Sequence, residues 1–302
     1  MKAAPISAPR ADVYAIITNR IILALEGGVT PWKQPWNVAH GAPRNYRSQH
    51  IYQGINAFLL GMLRHEQPYY LTFNQARELG GGVRKGEKGM PVVFYQVGKK
   101  ENARGEEKKV AILHYSTVFN ISQIDGIAWK LPVLPHREHT PQQAAEQIIT
   151  GYVGGPRIQY AGSEPCYRTS TDTVTVPEAS SFHTAEDYYA TLFHELAHST
   201  GHGKRLDRAT LTEKASFGSE SYAKEELVAE LSASFLSNAA GLDLTRTEPA
   251  TASYLDNWLQ ALRNDKRLIV SAASQAQKAA NHILGIVPSY AADEAAASTA
   301  SE

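Results

Sequence analysis

The chain has 302 residues, with 30 Lys and Arg against 30 Asp and Glu, and 43% of its residues are hydrophobic. This length suits one large domain or two ordinary ones, and the apolar content excludes a wholly disordered chain. The single cysteine excludes an internal disulfide and a cysteine-based zinc cage. The chain contains neither a signal-peptide core nor the roughly 20 apolar residues of a membrane span, which predicts a soluble, cytoplasmic protein without a membrane partner.

The charges are unevenly distributed. Residues 1–130 carry 17 Lys and Arg against 9 Asp and Glu, whereas residues 131–302 carry 13 against 21. This difference predicts two functional parts, the first of which faces a polyanion such as nucleic acid. We predict an α+β fold with two domains, 1–130 and a mainly helical 142–287. A proline-rich linker at 131–141 joins them, and a flexible tail covers 288–302.

The first part is predicted to be a compact α+β module. Apolar residues at helical spacing predict helices in "ADVYAIITNRIILALEGG", "GINAFLLGMLRHE" and "TFNQAREL". Two strands follow in "PVVFYQVGKK" and "VAILHYSTVFNI", with a long charged hairpin tip between them.

After the linker, the pattern predicts a helix at about 141–151 and short strands in "RIQYAG" and "DTVTVP". The next helix begins near Thr184, which is a capping residue. Further helices cover "SYAKEELVAELSASFLSNAAG", "YLDNWLQAL" and "LIVSAASQAQKAANHILG".

The helix after Thr184 contains the sequence "HELAH". His194 and His198 lie one turn apart on one face, so both imidazoles can bind a single cation. Zn²⁺ suits neutral imidazole ligands, and another divalent metal such as Mn²⁺ is an alternative. Glu195 lies beside this face, where it can accept a proton from water. The competing interpretation is a surface helix with fortuitous histidines.

A catalytic zinc usually has three protein ligands and one water. His202 is a candidate for the third ligand, but the glycines on both sides of it predict that the helix ends there. Glu226 and Glu230 are better candidates because they lie one turn apart on the next helix and flank its apolar stripe. One can bind the metal while the other orients a histidine. The competing interpretation is an exposed acidic helix face.

Basic and aromatic residues alternate in "TPWKQPW", "PRNYRSQHIY" and "GGGVRKGEKG". This combination is typical of proteins that bind single-stranded DNA, because bases stack on rings and the backbone contacts cations. The candidate DNA-binding residues are Trp32, Lys33, Trp36, Arg44, Tyr46, Arg47, Arg84, Lys85 and Lys88. Core packing of the tryptophans and a solvated glycine-rich hairpin are the competing interpretations.

These motifs together resemble the ArdC-like antirestriction proteins, which are encoded on conjugative plasmids. "FHELAHSTGHGKRLDR" and "FGSESYAKEELVAELSASFL" are similar to the zincin-type metallopeptidase domain of that family. "TPWKQPW", "NYRSQHIYQGIN", "YYLTFNQARELGGGVRKGEKG" and "HYSTVFNISQIDG" are similar to its N-terminal single-stranded-DNA-binding domain. The resemblance covers nearly all of residues 10–285.

The resemblance implies a gluzincin site. His194, His198 and Glu226 are the implied metal ligands, Glu195 the general base, and Glu230 a residue that orients a ligand. The implied protein is a DNA-tethered zinc peptidase that protects incoming plasmid single strands, with a host protein of the restriction machinery as candidate substrate. The alternative is a non-catalytic protein that coats single-stranded DNA and whose metal is only structural.

The implied reaction is peptide hydrolysis, in which zinc lowers the pKa of its water to about 7. The strand in "DTVTVP" is a candidate for pairing with an extended substrate. Tyr222 and His202 are candidates for stabilising the oxyanion, and packing explains both residues equally well.

Overall fold

The computed structural model of the protein describes residues 12–33, 41–101, 107–132, 139–212, 220–247 and 252–287. The helices in these ranges are α1 (Val13–Glu26), α2 (Gly54–Gly61), α3 (Phe73–Glu78), α4 (Pro141–Gly151), α5 (Ala185–Thr200), α6 (Ala209–Thr212), α7 (Glu220–Ala240), α8 (Ala252–Asn264) and α9 (Leu268–Ile283). The strands are β1 (Arg44–Asn45), β2 (Tyr69–Thr72), β3 (Gly82–Val83), β4 (Met90–Glu101), β5 (Glu107–Asn120), β6 (Ile124–Asp125), β7 (Arg157–Tyr160), β8 (Cys166–Arg168) and β9 (Thr173–Val176). The predicted α+β class is confirmed.

The N-terminal part is built on a four-stranded sheet with the order β1-β2-β5-β4. β1 and β2 are parallel, and the other pairs are antiparallel. β4 and β5 form the predicted long hairpin, whose register begins with Met90 opposite Val118. β3 and β6 form a separate two-stranded sheet beside α3.

The C-terminal part combines helices α4–α9 with a three-stranded sheet of order β7-β9-β8. β9 is the central strand, parallel to β7 and antiparallel to β8. The predicted pairing of a substrate with "DTVTVP" is therefore wrong, because both edges of β9 already bond to other strands. β8 was not predicted, since its three residues are too short to show an alternating pattern.

The two parts share one hydrophobic core. α1 contacts α8, and α2 contacts α9. Trp32 and Trp258 come from different parts, are only 1% and 2% exposed, and pack edge to face with ring centroids 4.8 Å apart. The amide of Gly54 donates a hydrogen bond to Gln277 Oε1 at 2.8 Å. We therefore expect the two parts to unfold together.

The predicted boundaries fall at the margins of the described residues. Most of the predicted linker lies outside them, and α4 begins at its end, where Thr140 accepts the amide of Gln143 at 3.2 Å. The tail at 288–302 also lies outside them. Among the helices that are described, none is both long and apolar enough to cross a membrane.

Candidate metal centre

Helix α5 carries the histidine pair, and its ends are defined by local interactions. Thr184 Oγ1 accepts the amide of Asp187 at 3.0 Å, which confirms the predicted cap. The helix ends at Thr200, before His202. Its apolar side is buried against α7, α9 and β9, and this burial sets the rotation of the helix about its axis. The histidines consequently line a cleft between α5 and α7.

Three side chains converge at one point of this cleft. His194 Nε2 and His198 Nε2 are 3.0 Å apart, and the two oxygens of Glu226 each lie 3.5 Å from one of these nitrogens. Tetrahedral ligands with metal bonds of 2.0–2.1 Å stand about 3.3 Å apart. The triangle of donor atoms, two imidazoles and one carboxylate, therefore fits a zinc ion or a similar divalent cation.

Charge also favours a cation between these residues. Burial lowers the pKa of His198, but hydrogen bonds with Glu225 and Glu226 outweigh burial and raise that pKa to about 10. Burial raises the pKa of Glu226, but the two histidines outweigh burial and hold that pKa well below its usual range. The carboxylates thus stay ionised and attract positive charge, which a metal ion can supply in place of protons.

Glu195 lies beside the three ligands but is not one of them. It directly follows His194 on α5, it is buried, and its side chain lines the same cleft. Because the three ligand atoms come from other residues, the Glu195 carboxylate is available for chemistry inside the cleft.

Two further glutamates face the outer nitrogens of the histidines. His194 Nδ1 lies 3.7 Å from Glu230 Oε1, and His198 Nδ1 lies 3.3 Å from Glu225 Oε1. Glu230 therefore faces His194 at a distance that exceeds a hydrogen bond, and the orienting role that the resemblance implies stays a prediction. Glu225 makes the shorter contact and has no counterpart among the sequence predictions.

Sequence reasoning missed Glu225, Arg208 and Tyr254. The only local signal for Glu225 is that it directly precedes Glu226 in a helix that is buried on most sides. Arg208 contacts the metal site only because the loop after α5 folds back. Tyr254 belongs to α8, and no motif in the sequence connects α8 with the histidines.

The cleft around the metal centre has a volume of about 940 Å³. One wall comes from β8 and the loop before it, including Cys166 and Tyr167, and another comes from α8. Trp32 and Lys33 also line it, although they belong to the N-terminal part of the chain. The N-terminal part therefore contributes to the cleft in which the metal ligands lie.

Two tyrosines share the cleft with the ligand Glu226. Tyr222 lies one turn before Glu226 on α7, Tyr254 belongs to α8, and both side chains line the cleft. Burial, and then the charge of Glu226, raises the pKa of Tyr222 and of Tyr254. Both hydroxyls consequently remain protonated at neutral pH and can donate hydrogen bonds.

His202 is not part of this site. It follows the end of α5, and its Nδ1 accepts the amide of Lys204 at 3.1 Å. It does not line the cleft, and it is not in the group of possible metal ligands found among the described residues. The roles considered for His202, as third ligand and as oxyanion group, are therefore wrong, because the chain turns away after Gly201.

The "TPWKQPW" segment contributes to the core and the cleft. Trp32 packs against Trp258 and Phe58, so neither face of its indole is available to a base. The prediction of Trp32 as a stacking platform is wrong because the turn at Pro31–Lys33 inserts this ring into the shared core. Lys33 is half-buried and lines the cleft, and Trp36 lies outside the described residues.

The "PRNYRSQHIY" residues lie around β1. The Arg44 guanidinium lies 6.0 Å from the ring centroid of Tyr69, whereas Arg47 is exposed and pairs with Glu78. The Tyr46 ring packs edge to face with Trp129, with centroids 5.0 Å apart. Arg44 is thus half-buried, Arg47 reaches solvent as a member of an ion pair, and two edge contacts, with Trp129 and Tyr69, restrict the ring of Tyr46.

The glycine-rich loop follows β3. Arg84 is exposed and pairs with Glu87 at 2.8 Å and with Asp125 at 3.4 Å. Lys85 and Lys88 are exposed on the same loop. This loop and the β1 residues adjoin α3, since β3 contacts α3 and Arg47 pairs with the last residue of that helix. The two basic clusters thus both adjoin α3.

Comparison with known families agrees with this architecture. Residues 143–275 match the family described as zincin-like metallopeptidase, and residues 11–119 match the N-terminal domain of the anti-restriction factor ArdC. The fold and the site define a class of two-domain proteins in which an ArdC-type N-terminal domain precedes a zincin-like domain.

Two solved structures cover nearly the whole chain. A metal-free crystal structure of the antirestriction ArdC protein from the R388 plasmid matches with a TM-score of 0.71 and 35% identity, covering 92% of this chain and all of that one. Its Mn(II)-bound structure matches with the same TM-score and identity, covering 91% of this chain and 97% of that one. The chain belongs to the family of ArdC-like antirestriction proteins.

Other proteins are similar to this chain in sequence. The uncharacterized protein y4eC of Sinorhizobium fredii is 36% identical over 287 residues, which cover 89% of this chain and 91% of that protein. Two Escherichia coli proteins named DNA primase TraC are 33% and 34% identical over 91% and 89% of this chain. This chain spans only 20% and 26% of the length of those primases.

Proposed function

We propose that this protein is a peptidase of the gluzincin type that holds Zn²⁺ with His194, His198 and Glu226. The observation that carries the proposal is the convergence of these three side chains while Glu195 stands in the same cleft outside the ligand set. Structural zinc sites use four protein ligands, whereas catalytic sites use three and leave one position for water or substrate. A bound zinc ion supplies Lewis acidity, which acidifies a water and polarises the scissile carbonyl.

The chain's own groups supply the proton transfers. Glu195 accepts a proton from the attacking water and passes it to the leaving amine. Tyr222 and Tyr254 donate hydrogen bonds to the carbonyl oxygen as it becomes negative, and their raised pKa values keep both hydroxyls protonated. Burial of the cleft strengthens these interactions, since charges are less screened there than in water.

The substrate is an extended peptide that pairs with β8. Within the described residues β8 is an edge strand, and Cys166 and Tyr167 on it line the cleft. An extended segment added to this edge bonds through its backbone while its side chains enter the cleft. A volume of about 940 Å³ accommodates several residues of such a segment.

Replacing one carboxylate tests the enzymatic proposal. We expect Glu195→Gln to keep its metal content and lose peptide cleavage by about 10²- to 10⁴-fold, because the general base is lost while the ligands remain. Glu164→Gln is the matched control, since this residue also lines the cleft and is not among the three metal ligands. Mass-spectrometric profiling of a peptide library measures cleavage. Undiminished cleavage by Glu195→Gln would refute the assigned role.

We also propose that the N-terminal part binds single-stranded DNA. The excess of basic residues in 1–130, their position around α3 and the match to the ArdC N-terminal domain support this partner. Phosphates are contacted by basic side chains, and bases stack beside Tyr46. The basic residues concerned are Arg44, Arg47, Arg84, Lys85 and Lys88.

DNA binding is measured on the full-length protein, because the shared core makes isolated parts unsuitable. We expect fluorescence anisotropy with a labelled oligonucleotide to show affinity falling with salt, with a slope of roughly 0.7 per phosphate contact. Lys85→Ala and Lys88→Ala each reduce the slope, whereas Lys278→Ala, an exposed lysine on α9, leaves it unchanged. An affinity independent of salt would contradict the electrostatic interface.

In the cell, we propose that the protein acts in the cytoplasm, where it protects incoming plasmid single strands and cleaves a host protein of the restriction machinery. Its family membership supports antirestriction, and the cleft supports cleavage. A conjugation or transformation assay with Glu195→Gln separates the two activities. Protection at the wild-type level would favour the alternative, in which the protein coats DNA without proteolysis.

A further inference from the structure

We propose that Glu225 and Arg208 form a positioning pair that fixes the orientation and tautomer of His198 and thereby sets the affinity of the site for its metal. The inference rests on the metal site of the proposed function, but it does not require that the site cleave peptides.

The Glu225 carboxylate connects His198 to the surrounding helices. It is 4% exposed, and its Oε1 lies 3.3 Å from His198 Nδ1. Thr210 Oγ1 donates to its other oxygen at 2.6 Å. A carboxylate accepts hydrogen bonds only, so Nδ1 must carry the proton. When a metal ion replaces the second ring proton, the lone pair of His198 is therefore on Nε2, the atom that faces the other two ligands.

Arg208 donates hydrogen bonds to both oxygens of this carboxylate. Its Nε donates to Glu225 Oε2 at 3.1 Å, its Nη2 donates to Oε1, and the residue is only 5% exposed. Nη2 also donates to the carbonyl oxygen of Ala197 at 2.9 Å, in the last turn of α5. The guanidinium thus keeps Glu225 ionised and ties it to the same helix that carries His198.

The two ligand histidines differ in how firmly the carboxylate beside their Nδ1 is held. His194 Nδ1 faces Glu230 at 3.7 Å, and the Glu230 side chain is 25% exposed. His198 Nδ1 faces a carboxylate that is itself held by an arginine and a threonine. Partners of metal-bound histidines fix the tautomer and raise the basicity of the ligand. Removing the pair should therefore act through His198.

A second arginine in the same loop provides a matched control. Arg205 pairs with Asp172, and its Nε donates to the carbonyl of Ser199 at 2.7 Å. Both arginine side chains are 4% exposed, and both contact the C-terminal turn of α5. The Arg205 pair does not contact either ligand histidine. If both pairs only stabilised the fold, replacing either one would have the same effect on zinc affinity. If Glu225 and Arg208 position His198, only their replacement lowers the zinc affinity.

The test is the zinc affinity of the full-length protein, measured by competition with a chromophoric chelator. We expect Glu225→Gln to weaken zinc binding by about 10- to 100-fold, the range typical for loss of a histidine partner. Asp172→Asn, which removes the carboxylate charge from the Arg205 pair, should leave zinc affinity unchanged. Equal zinc affinities in folded wild type and Glu225→Gln, or equal losses in both variants, would overturn the proposal.

Two further sets of variants guard against simple unfolding. Glu225→Asp and Arg208→Lys keep the charges and are expected to recover part of the affinity. Combining Glu225→Gln with Arg208→Gln leaves no buried charge unpaired. Because both residues act through one contact, the double variant should lose no more affinity than the worse single variant. Multiplicative losses would instead show independent effects and contradict the pair.

Nuclear magnetic resonance gives a readout that a structural role would not change. In the zinc-loaded protein we expect the His198 Nδ1 proton to be protected and shifted downfield by its bond to Glu225. Glu225→Gln should shift this signal, and Asp172→Asn should not. If the wild-type protein cleaved no peptide, the proposed reaction would be refuted, whereas the expected zinc affinities and histidine signals would stand unchanged.

Discussion

Replacing Trp258 should destabilise both parts of the chain, because its ring lies in the core that they share. The side chain is 2% exposed and contacts Trp32 of the N-terminal part. Truncating a buried tryptophan to alanine costs about 3–5 kcal/mol. An edge-to-face pair adds about 0.5–1.5 kcal/mol, which a double-mutant cycle with Trp32 should recover as coupling energy. Against a typical total of about 5–15 kcal/mol, this loss is large.

Urea unfolding followed by circular dichroism measures the total loss, and hydrogen exchange locates it. We expect one transition, with amides of α2 and α5 losing protection equally in Trp258→Ala. Trp258→Phe is the control: it keeps a ring, and the indole N–H has no hydrogen-bond partner among the described residues, so little should be lost. Two separate transitions, or unchanged protection in α2, would refute the shared core.

Three further predictions concern the metal, the cleft and the ion pair of Arg205 with Asp172. Removing the metal with a chelator should lower the melting temperature, since a ligand at 100 times its Kd contributes about 2.7 kcal/mol; an unchanged melting curve on re-adding zinc would argue against a site. Alkylation of Cys166, the only cysteine, should block peptide entry because it lines the cleft, and Cys166→Ser should resist the reagent. Hydrogen bonding from Arg205 holds the pKa of Asp172 below its ordinary value of 3.8. Stabilisation by this carboxylate is therefore present above the unfolded pKa and lost as the pH falls through the folded one. Asp172→Asn should thus lower the free energy of unfolding at pH 7 and have a progressively smaller effect below pH about 4. If wild type and variant differed in unfolding free energy by the same amount at every pH, the ionic contribution would be excluded.

Local patterns in the sequence were sufficient to predict that the two histidines share one face of a helix. Residues four apart meet on one face of any α-helix, so the convergence of His194 and His198 needed no knowledge of the fold. The cap at Thr184 and the long hairpin of β4 and β5 are likewise consequences of short-range chemistry, and both are confirmed. Motifs spread over both parts of the chain also carried the family resemblance.

Tertiary structure alone decided which carboxylate faces which nitrogen. A stretch of six residues in α7 contains three glutamates. Only the packing of α7 against α5 places the Glu226 carboxylate beside Nε2 of both histidines and the Glu225 carboxylate beside Nδ1 of His198. Burial of Trp32 depended in the same way on α8, more than two hundred residues further along the chain. Spacing along one helix is fixed by its own geometry, whereas contacts between helices depend on how distant segments pack, and a local pattern contains no record of that packing.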